Sequence, residues 1–150
     1  MDDMDRKILR RLQHEPEISM AALAEEVGLS HTPCWRRIKR MEADGIILGR
    51  ALLLDARSLS LGVDVIASLR LKQHDEATLD AFERASLDHP EIVECFSMSG
   101  ESDYMMRIVV SSIEAYEMFL KKTLLHLPGV ASINSSFALK QIKLTTALPI

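Results

Sequence analysis

The sequence predicts an α+β protein in which an N-terminal winged helix-turn-helix precedes a ferredoxin-like β-α-β-β-α-β domain. Three segments with helical periodicity occupy residues 1–43, and a short Gly-containing turn separates the second from the third. From Val63 onward, segments typical of strands and helices follow in the order strand, helix, strand, strand, helix, strand. A change of composition after residues 55–58 predicts two domains, at 1–57 and 58–150.

The first two helices are predicted from apolar spacing and from their ends. Apolar residues recur at helical spacing over residues 3–14. Ser19 is a good N-cap for a second helix over 20–27, and Gly28 follows it as a C-terminal residue. Ser30, the next N-cap candidate, comes two residues later. Two helices joined by such a turn are typical of a helix-turn-helix.

The third predicted helix, residues 31–43, has an apolar side and a basic side. At 100° per residue, Cys34, Ile38 and Met41 fall within about 60° of one another. The opposite side carries four cations, and residues 31–40 contain no acid. We call these four side chains the basic face: Arg36, Arg37, Lys39 and Arg40. A helix that packs inward on protein and outward on DNA has this pattern.

A wing is predicted after Gly45. The apolar runs 46–48 and 51–54 flank Gly49 and Arg50, which is typical of two strands and a tight turn. Arg50, at the tip, is then expected to reach the DNA backbone or minor groove. The complete set of predicted DNA contacts is Ser30, His31, Thr32, Arg36, Arg37, Lys39, Arg40 and Arg50.

Two alternatives to DNA contact follow from the same residues. A basic helix face is often only solvated, and three-helix units also bind proteins. The order helix, helix, short turn, basic helix, wing favours DNA. Trp35 lies at the edge between the two sides of its helix, and we expect Cys34 and Trp35 to pack rather than to react.

Charge and composition narrow the function further. The net charge is −4, but residues 1–57 hold ten Lys/Arg and ten Asp/Glu, so the acidic excess lies in the second domain. No apolar run approaches the roughly 20 residues of a membrane span, and the acidic N-terminus does not resemble a signal peptide. We therefore expect a cytoplasmic protein without a membrane partner.

Catalytic and metal chemistry are not expected. The two cysteines and five histidines are scattered, without the spacing of a disulfide framework or a zinc site. No nucleophile and base pair stands out. The sequence predicts no cofactor, no metal and no enzymatic activity.

The second domain is predicted from four strands and two helices. The predicted strands are Val63–Leu71, Ile92–Met98 and Tyr104–Val110, followed by a strand or pair of strands over Val130–Leu144. The predicted helices are Asp75–Leu87 and Ile113–Leu127. In the first of these helices, Leu79, Phe82 and Leu87 are expected to point inward. The helices are expected to cover one face of the sheet. The bare face is a natural dimer interface.

Several motifs, in order, resemble one family. Asp5–Leu9, Val27–Ser30 and Thr32–Arg37 resemble the opening of the Lrp/AsnC ("feast/famine") transcription regulators. Ser99–Tyr104 and Leu127–Val130 resemble that family's second domain, the ACT-like RAM domain. The closing stretch, with Ser135-Ser136-Phe137-Ala138 and Thr145–Pro149, is most similar to the DecR branch, which is associated with L-cysteine and its detoxification.

The resemblance implies assembly and an effector. It implies a homodimer formed by the second domains, often closed into octamers, that binds promoter DNA at palindromic operators and an amino acid between dimers. Carried over by motif, the effector residues are Gly100, Glu101, Ser102, Asp103 and Tyr104, with Ser135 and Ser136 reaching from a neighbouring subunit.

Within that cleft, turn amides would hold the ligand carboxylate and Asp103 would pair with its ammonium group. The residues alone are equally consistent with a second role for this stretch, in which Gly100 only permits a tight hairpin and Asp103 caps it. Two other functions stay open: an architectural DNA-binding protein without an effector, and an amino-acid sensor whose first domain contacts protein.

Overall fold

The computed structural model describes residues 1–150, which form two compact units. The first unit comprises Met1–Leu53 together with Ile142–Ile150, and the second comprises Leu54–Gln141. Residues 142–150 thus group with the first unit, although the sequence analysis placed them with 58–150. As a division between functional domains, the boundary between residues 57 and 58 remains a prediction.

Three helices form the first unit, with the predicted bounds: α1 is Asp3–His14, α2 is Met20–Val27 and α3 is His31–Ala43. The Ser19 side chain accepts a hydrogen bond from the Ala22 N–H, as expected of an N-cap. Gly28 ends α2 with a φ of +79°, a left-handed conformation that favours glycine. The chain can therefore turn sharply from α2 into α3.

The core of the first unit is small and joins all three helices. Its fully or nearly fully buried apolar side chains are Ile8, Leu23, Ala24, Val27, Cys34, Ile38 and Met41. The three members from α3 are the predicted apolar stripe. This burial fixes the rotation of α3 about its own axis and turns its other side outward.

The two predicted wing strands are absent. Residues 46–54 have no regular secondary structure, and Leu48 and Leu52 are 95% and 84% exposed. Only Ile47 of this stretch packs partly on the first-unit core. A lone two-stranded hairpin is marginal unless it buries an apolar face, and these leucines bury none.

The second unit is a four-stranded antiparallel sheet with two helices: β1 is Val63–Leu71, α4 is Glu76–Leu87, β2 is Ile92–Ser97, β3 is Tyr104–Val110, α5 is Ile113–Lys122 and β4 is Val130–Phe137. The strand order is β2-β3-β1-β4, and the elements follow one another along the chain in the predicted order β-α-β-β-α-β. None of the helices has the length and apolar character that crossing a bilayer requires.

The sheet has a buried face and an open face. Val65, Ala67 and Leu69 of β1 are fully buried in one core with Phe82 of α4 and Tyr116 of α5. Alternation along the strands turns the intervening residues to the other face, which no element of this unit covers. We call this second side the open face of the sheet.

Three details of the second unit differ from the sequence analysis. Leu87 is 84% exposed, because Ser86 takes the inward position and donates a hydrogen bond to the Phe82 carbonyl at 2.8 Å. The second helix ends at Lys122, and a 3₁₀ turn, Leu124–His126, follows it. β4 ends at Phe137 rather than at residue 144.

Beyond β4 the chain has no further strand, and its final residues pack on α1. Arg10 Nε donates to the Ile150 carbonyl at 2.5 Å, and the Leu148 N–H donates to Gln13 Oε1 at 2.5 Å. Ile150 also packs against the first-unit core. These contacts give the segment partners other than the sheet.

Phe82 is expected to be essential for the stability of the second unit. Phe82→Ala removes a fully buried ring that lies 4.4 Å from the Tyr104 ring, between centroids, and should cost about 3–5 kcal/mol of unfolding free energy. Leu87→Ala, on the same helix but exposed, should change it by less than about 0.5 kcal/mol. Urea unfolding followed by circular dichroism compares the two; equal losses would contradict this packing.

Candidate nucleic-acid interface and effector cleft

α3 presents a continuous exposed side opposite its buried stripe. Cys34 and Met41 are fully buried, whereas Thr32, Arg36 and Lys39 are exposed. At 100° per residue, Arg36 lies near the middle of the exposed side. A helix held in this way can enter a major groove with Arg36 foremost.

The basic face is not uniformly free. Arg37 Nη1 lies 2.6 Å from Asp2 Oδ2 and 2.8 Å from Asp5 Oδ1, and Arg40 Nη2 lies 2.6 Å from Asp5 Oδ2. Lys39 pairs with Glu42 at 2.7 Å. Arg36 alone of the four forms no salt bridge or hydrogen bond. The predicted phosphate and base contacts of Arg37, Lys39 and Arg40 therefore compete with internal partners.

The acids that bind Arg37 and Arg40 form the N-terminal cap of α1. The Asp5 N–H donates to Asp2 Oδ1 at 2.8 Å, and the Asp2 N–H donates to Asp5 Oδ2 at 3.0 Å. Burial by itself raises the pKa of Asp5, but the hydrogen bonds from Asp2 and Arg37 outweigh it, so its pKa lies below the ordinary value. The Asp5 N–H, followed by Arg37, holds the pKa of Asp2 at about 2.

The predicted effector turn lies between β2 and β3. Gly100 has a φ of +126°, and the Met98 N–H donates to the Asp103 carbonyl at 2.8 Å, closing the turn. Arg70 Nε donates to the Glu101 carbonyl at 2.5 Å. The turn is thus held against the end of β1, the strand that neighbours β3.

Asp103 already has partners for both carboxylate oxygens. Oδ2 accepts a hydrogen bond from the Leu71 N–H at 2.7 Å, and Oδ1 lies 2.9 Å from His74 Nε2. The Leu71 hydrogen bond lowers the pKa of Asp103, and His74 adds to this against the opposing effect of burial. Both partners of this side chain lie at and after the end of β1, outside the hairpin at Gly100, and an ammonium partner would have to use the remaining lone pairs.

The other predicted effector residues do not gather around this turn. Tyr104 is buried on the helix side of the sheet, where its hydroxyl donates to Glu83 Oε1 at 2.7 Å. Ser135 also faces the helices and hydrogen-bonds to the Tyr116 hydroxyl, whereas Ser136 points to the open face. Within one chain, four of the seven predicted effector residues therefore form the turn, whereas Tyr104 and Ser135 face the helices and Ser136 faces the other side of the sheet.

Two family models match this chain. Residues 1–47 match a winged helix-turn-helix DNA-binding domain, and residues 64–148 match the Lrp/AsnC ligand binding domain. The second match covers more than half of the chain. The chain belongs to the Lrp/AsnC family of transcription regulators.

Individual proteins that are similar to this chain support the family assignment. The DNA-binding transcriptional activator DecR of Escherichia coli (strain K12) is 40% identical over 150 residues, which cover 100% of this chain and 99% of the relative. A crystal structure of an AsnC family transcriptional regulator from Agrobacterium tumefaciens has a TM-score of 0.93 at 45% identity, covering 99% and 97% of the two chains.

A second solved structure bears on the ligand class. The L-Met complex of a transcriptional regulator from Neisseria meningitidis has a TM-score of 0.93 at 36% identity, covering 99% of this chain and 96% of that one. The Lrp/AsnC assignment confirms the family, the fold class and the DNA-binding regulatory function predicted from the sequence.

Sequence reasoning overlooked two features of this Lrp/AsnC helix-turn-helix. Trp35 is 46% exposed on α3, although it was expected to pack. Asp5 is fully buried, and an acid among the apolar positions of α1, three residues before Ile8, was the signal that could have revealed it. Both residues adjoin the predicted DNA-contacting set.

It also overlooked a groove of about 460 Å³ between α4 and β2 of the ligand-binding domain, lined by residues that include Glu83, Cys95 and Tyr104. Burial, followed by the charge of Glu83, raises the pKa of the Cys95 thiol, which favours its protonated form. Glu83 is already bound by the Tyr104 hydroxyl.

Acid is expected to destabilise the first unit through Asp2. Its folded-state pKa of about 2 is below the ordinary 3.8, so its carboxylate stabilises the fold fully above about pH 4 and loses that effect as the pH falls towards 2. Urea unfolding followed by the fluorescence of Trp35, the single tryptophan, measures this. Asp2→Asn should show a smaller loss between pH 5 and pH 2; an identical loss would contradict the assignment.

Proposed function

We propose that this Lrp/AsnC regulator reads promoter operators with α3 in the major groove, as a homodimer that recognises two half-sites of a roughly palindromic sequence. The observation that carries the proposal is the unpaired, exposed Arg36 at the centre of the outward side of α3, backed by buried Cys34 and Met41. Its partner is double-stranded DNA.

Each predicted DNA contact has a role within this proposal. Arg36 suits bidentate recognition of guanine, since its guanidinium has no internal partner. Ser30, His31 and Thr32 lie at the N-terminal end of α3, where side chains reach base edges or phosphates. Lys39 and Arg50 are suited to phosphates, and Arg37 and Arg40 contribute only as far as their acidic partners allow.

Arg36→Ala should weaken operator binding by about 1–3 kcal/mol, or roughly 5- to 150-fold in Kd, because one base contact is lost. Fluorescence anisotropy with the protein's own promoter fragment measures it. Arg84→Ala is the matched control: it removes the same charge from an exposed position on α4. Equal affinities for Arg36→Ala and the unsubstituted protein would remove α3 from the proposal.

The effector we propose is a small amino acid bound by the second unit. The match to the Lrp/AsnC ligand binding domain and the L-Met complex of the Neisseria relative support the ligand class. The similarity to DecR makes L-cysteine the first candidate, with L-methionine the second. Calorimetry with the twenty amino acids, including reduced cysteine, separates this regulator from an architectural DNA-binding protein, which would bind none.

The turn at Gly100, Glu101 and Ser102 is the proposed carboxylate site, because backbone N–H groups of a tight turn bind anions well. Arg70 lies beside it through its bond to Glu101. In this proposal Asp103 holds the turn in shape through Leu71. Tyr104 supports the turn from the helix side, and Ser135 and Ser136 contribute only from another subunit.

Two substitutions at Asp103 distinguish a residue that holds the shape of the turn from one whose negative charge binds the ligand. Asp103→Asn keeps an oxygen that can accept from the Leu71 N–H, so it should retain most of the amino-acid affinity, whereas Asp103→Ala should lose more than about tenfold. Calorimetry measures both. Loss of binding in Asp103→Asn would instead assign the carboxylate to the ligand ammonium.

The proposed homodimer forms through the open face of the sheet. Phe96 of β2, which pairs with Met105, is 48% exposed there, and Arg107 binds Asp64 at 2.8 Å between strands. Closure of dimers into an octamer belongs to the same proposal, and sedimentation velocity measures it. Since promoters are the target, the proposed location is the cytoplasm and the proposed activity is regulatory, without catalysis.

A further inference from the structure

Asp5 is the only charged side chain in the protein that is buried, with 0% exposure. It lies in the first turn of α1, and both of its carboxylate oxygens accept hydrogen bonds. Burying a carboxylate costs folding free energy unless cations and N–H groups bind its oxygens. Here the cations come from α3, the helix proposed to enter the groove.

Arg37 and Arg40 lie three residues apart, one helical turn, and approach the same carboxylate from α3. Asp2 adds a second carboxylate, 2.6 Å from Arg37. Two arginines and two aspartates therefore form one group of zero net charge. We call it the Asp2–Asp5–Arg37–Arg40 cluster.

The cluster reduces the number of cations on α3 that are available to bind DNA phosphates. Non-specific binding comes mainly from cations that neutralise phosphates, and it grows with the number of cations available. Of the four charges on the basic face, two are neutralised by the cluster and Lys39 pairs with Glu42. Arg36 is left as the one cation of the basic face without an acidic partner, an arrangement that favours base reading over general attraction to phosphates.

We propose that Asp5, assisted by Asp2, is a specificity-determining residue: by binding Arg37 and Arg40 it withholds them from phosphates of non-operator DNA. This inference rests on the proposed binding of DNA by α3. Specificity is the ratio of the affinity for operator DNA to the affinity for non-operator DNA. A group that lowers the affinity for non-operator DNA therefore raises specificity without contacting a base.

Asp5→Asn tests it, because asparagine keeps the size of the side chain and removes its charge. Binding is measured by fluorescence anisotropy with the operator fragment and with a scrambled duplex of equal length, each across a salt series. We expect scrambled-duplex affinity to rise on the order of tenfold, its salt slope to steepen by about 0.9 per added phosphate contact, and the specificity ratio to fall.

Two further variants keep the test decisive. Asp2→Asn, at an exposed position, should shift the same quantities in the same direction by less, and it decides the question if Asp5→Asn does not fold. Adding Arg37→Gln and Arg40→Gln to the aspartate variant should return scrambled-duplex binding towards its original value. A residue that only stabilised the fold would not produce this reversal.

An unchanged specificity ratio and salt slope in Asp5→Asn and Asp2→Asn would overturn the inference, as would equal weakening on both duplexes. The proposed function fails separately. If Arg36→Ala leaves operator binding intact, α3 does not read DNA; if Arg36→Ala weakens operator binding while the aspartate variants keep the ratio, only the role of Asp5 is wrong.

Discussion

The burial of one stripe of α3 is the constraint on which the DNA-binding account depends. Cys34, Ile38 and Met41 are at most 3% exposed, and together they fix the rotation of the helix about its axis. With that rotation fixed, 100° per residue places Arg36 outward and brings Arg37 and Arg40 within reach of Asp5. The same packing therefore decides which cation faces solvent and which is neutralised inside the unit.

Local charge reconciles an acidic protein with a nucleic-acid partner. The net charge is −4, yet the exposed side of α3 between Thr32 and Lys39 carries no acid. Arg36, on that side, has no internal acidic partner, so it can contact DNA even though the whole chain is anionic. In the second unit, Arg70 donates a hydrogen bond to the Glu101 carbonyl of the turn at Gly100, where we propose that the carboxylate of the effector binds.

Helix bounds in the first unit could be predicted from sequence because apolar spacing, N-caps and Gly28 all indicated the same ends. β1 and β3 were predictable for a similar reason, since alternation and β-branched residues agree there. The wing and the end of β4 were not, because a strand needs a partner and the pattern of residues 46–54 or 138–144 does not reveal one. Pairing of Arg37 and Arg40 with Asp5 depends on contacts between residues more than thirty apart, which helical periodicity cannot show.

The central claim is that Arg36 meets the duplex, and its chemical reactivity tests this most directly. Phenylglyoxal modification of arginines, read by mass spectrometry with and without saturating operator, compares Arg36 with Arg84, which is exposed on α4. The account predicts that Arg36 reacts readily in the free protein and is protected by operator, while Arg84 reacts equally in both. Equal reactivity of Arg36 with and without operator would contradict it.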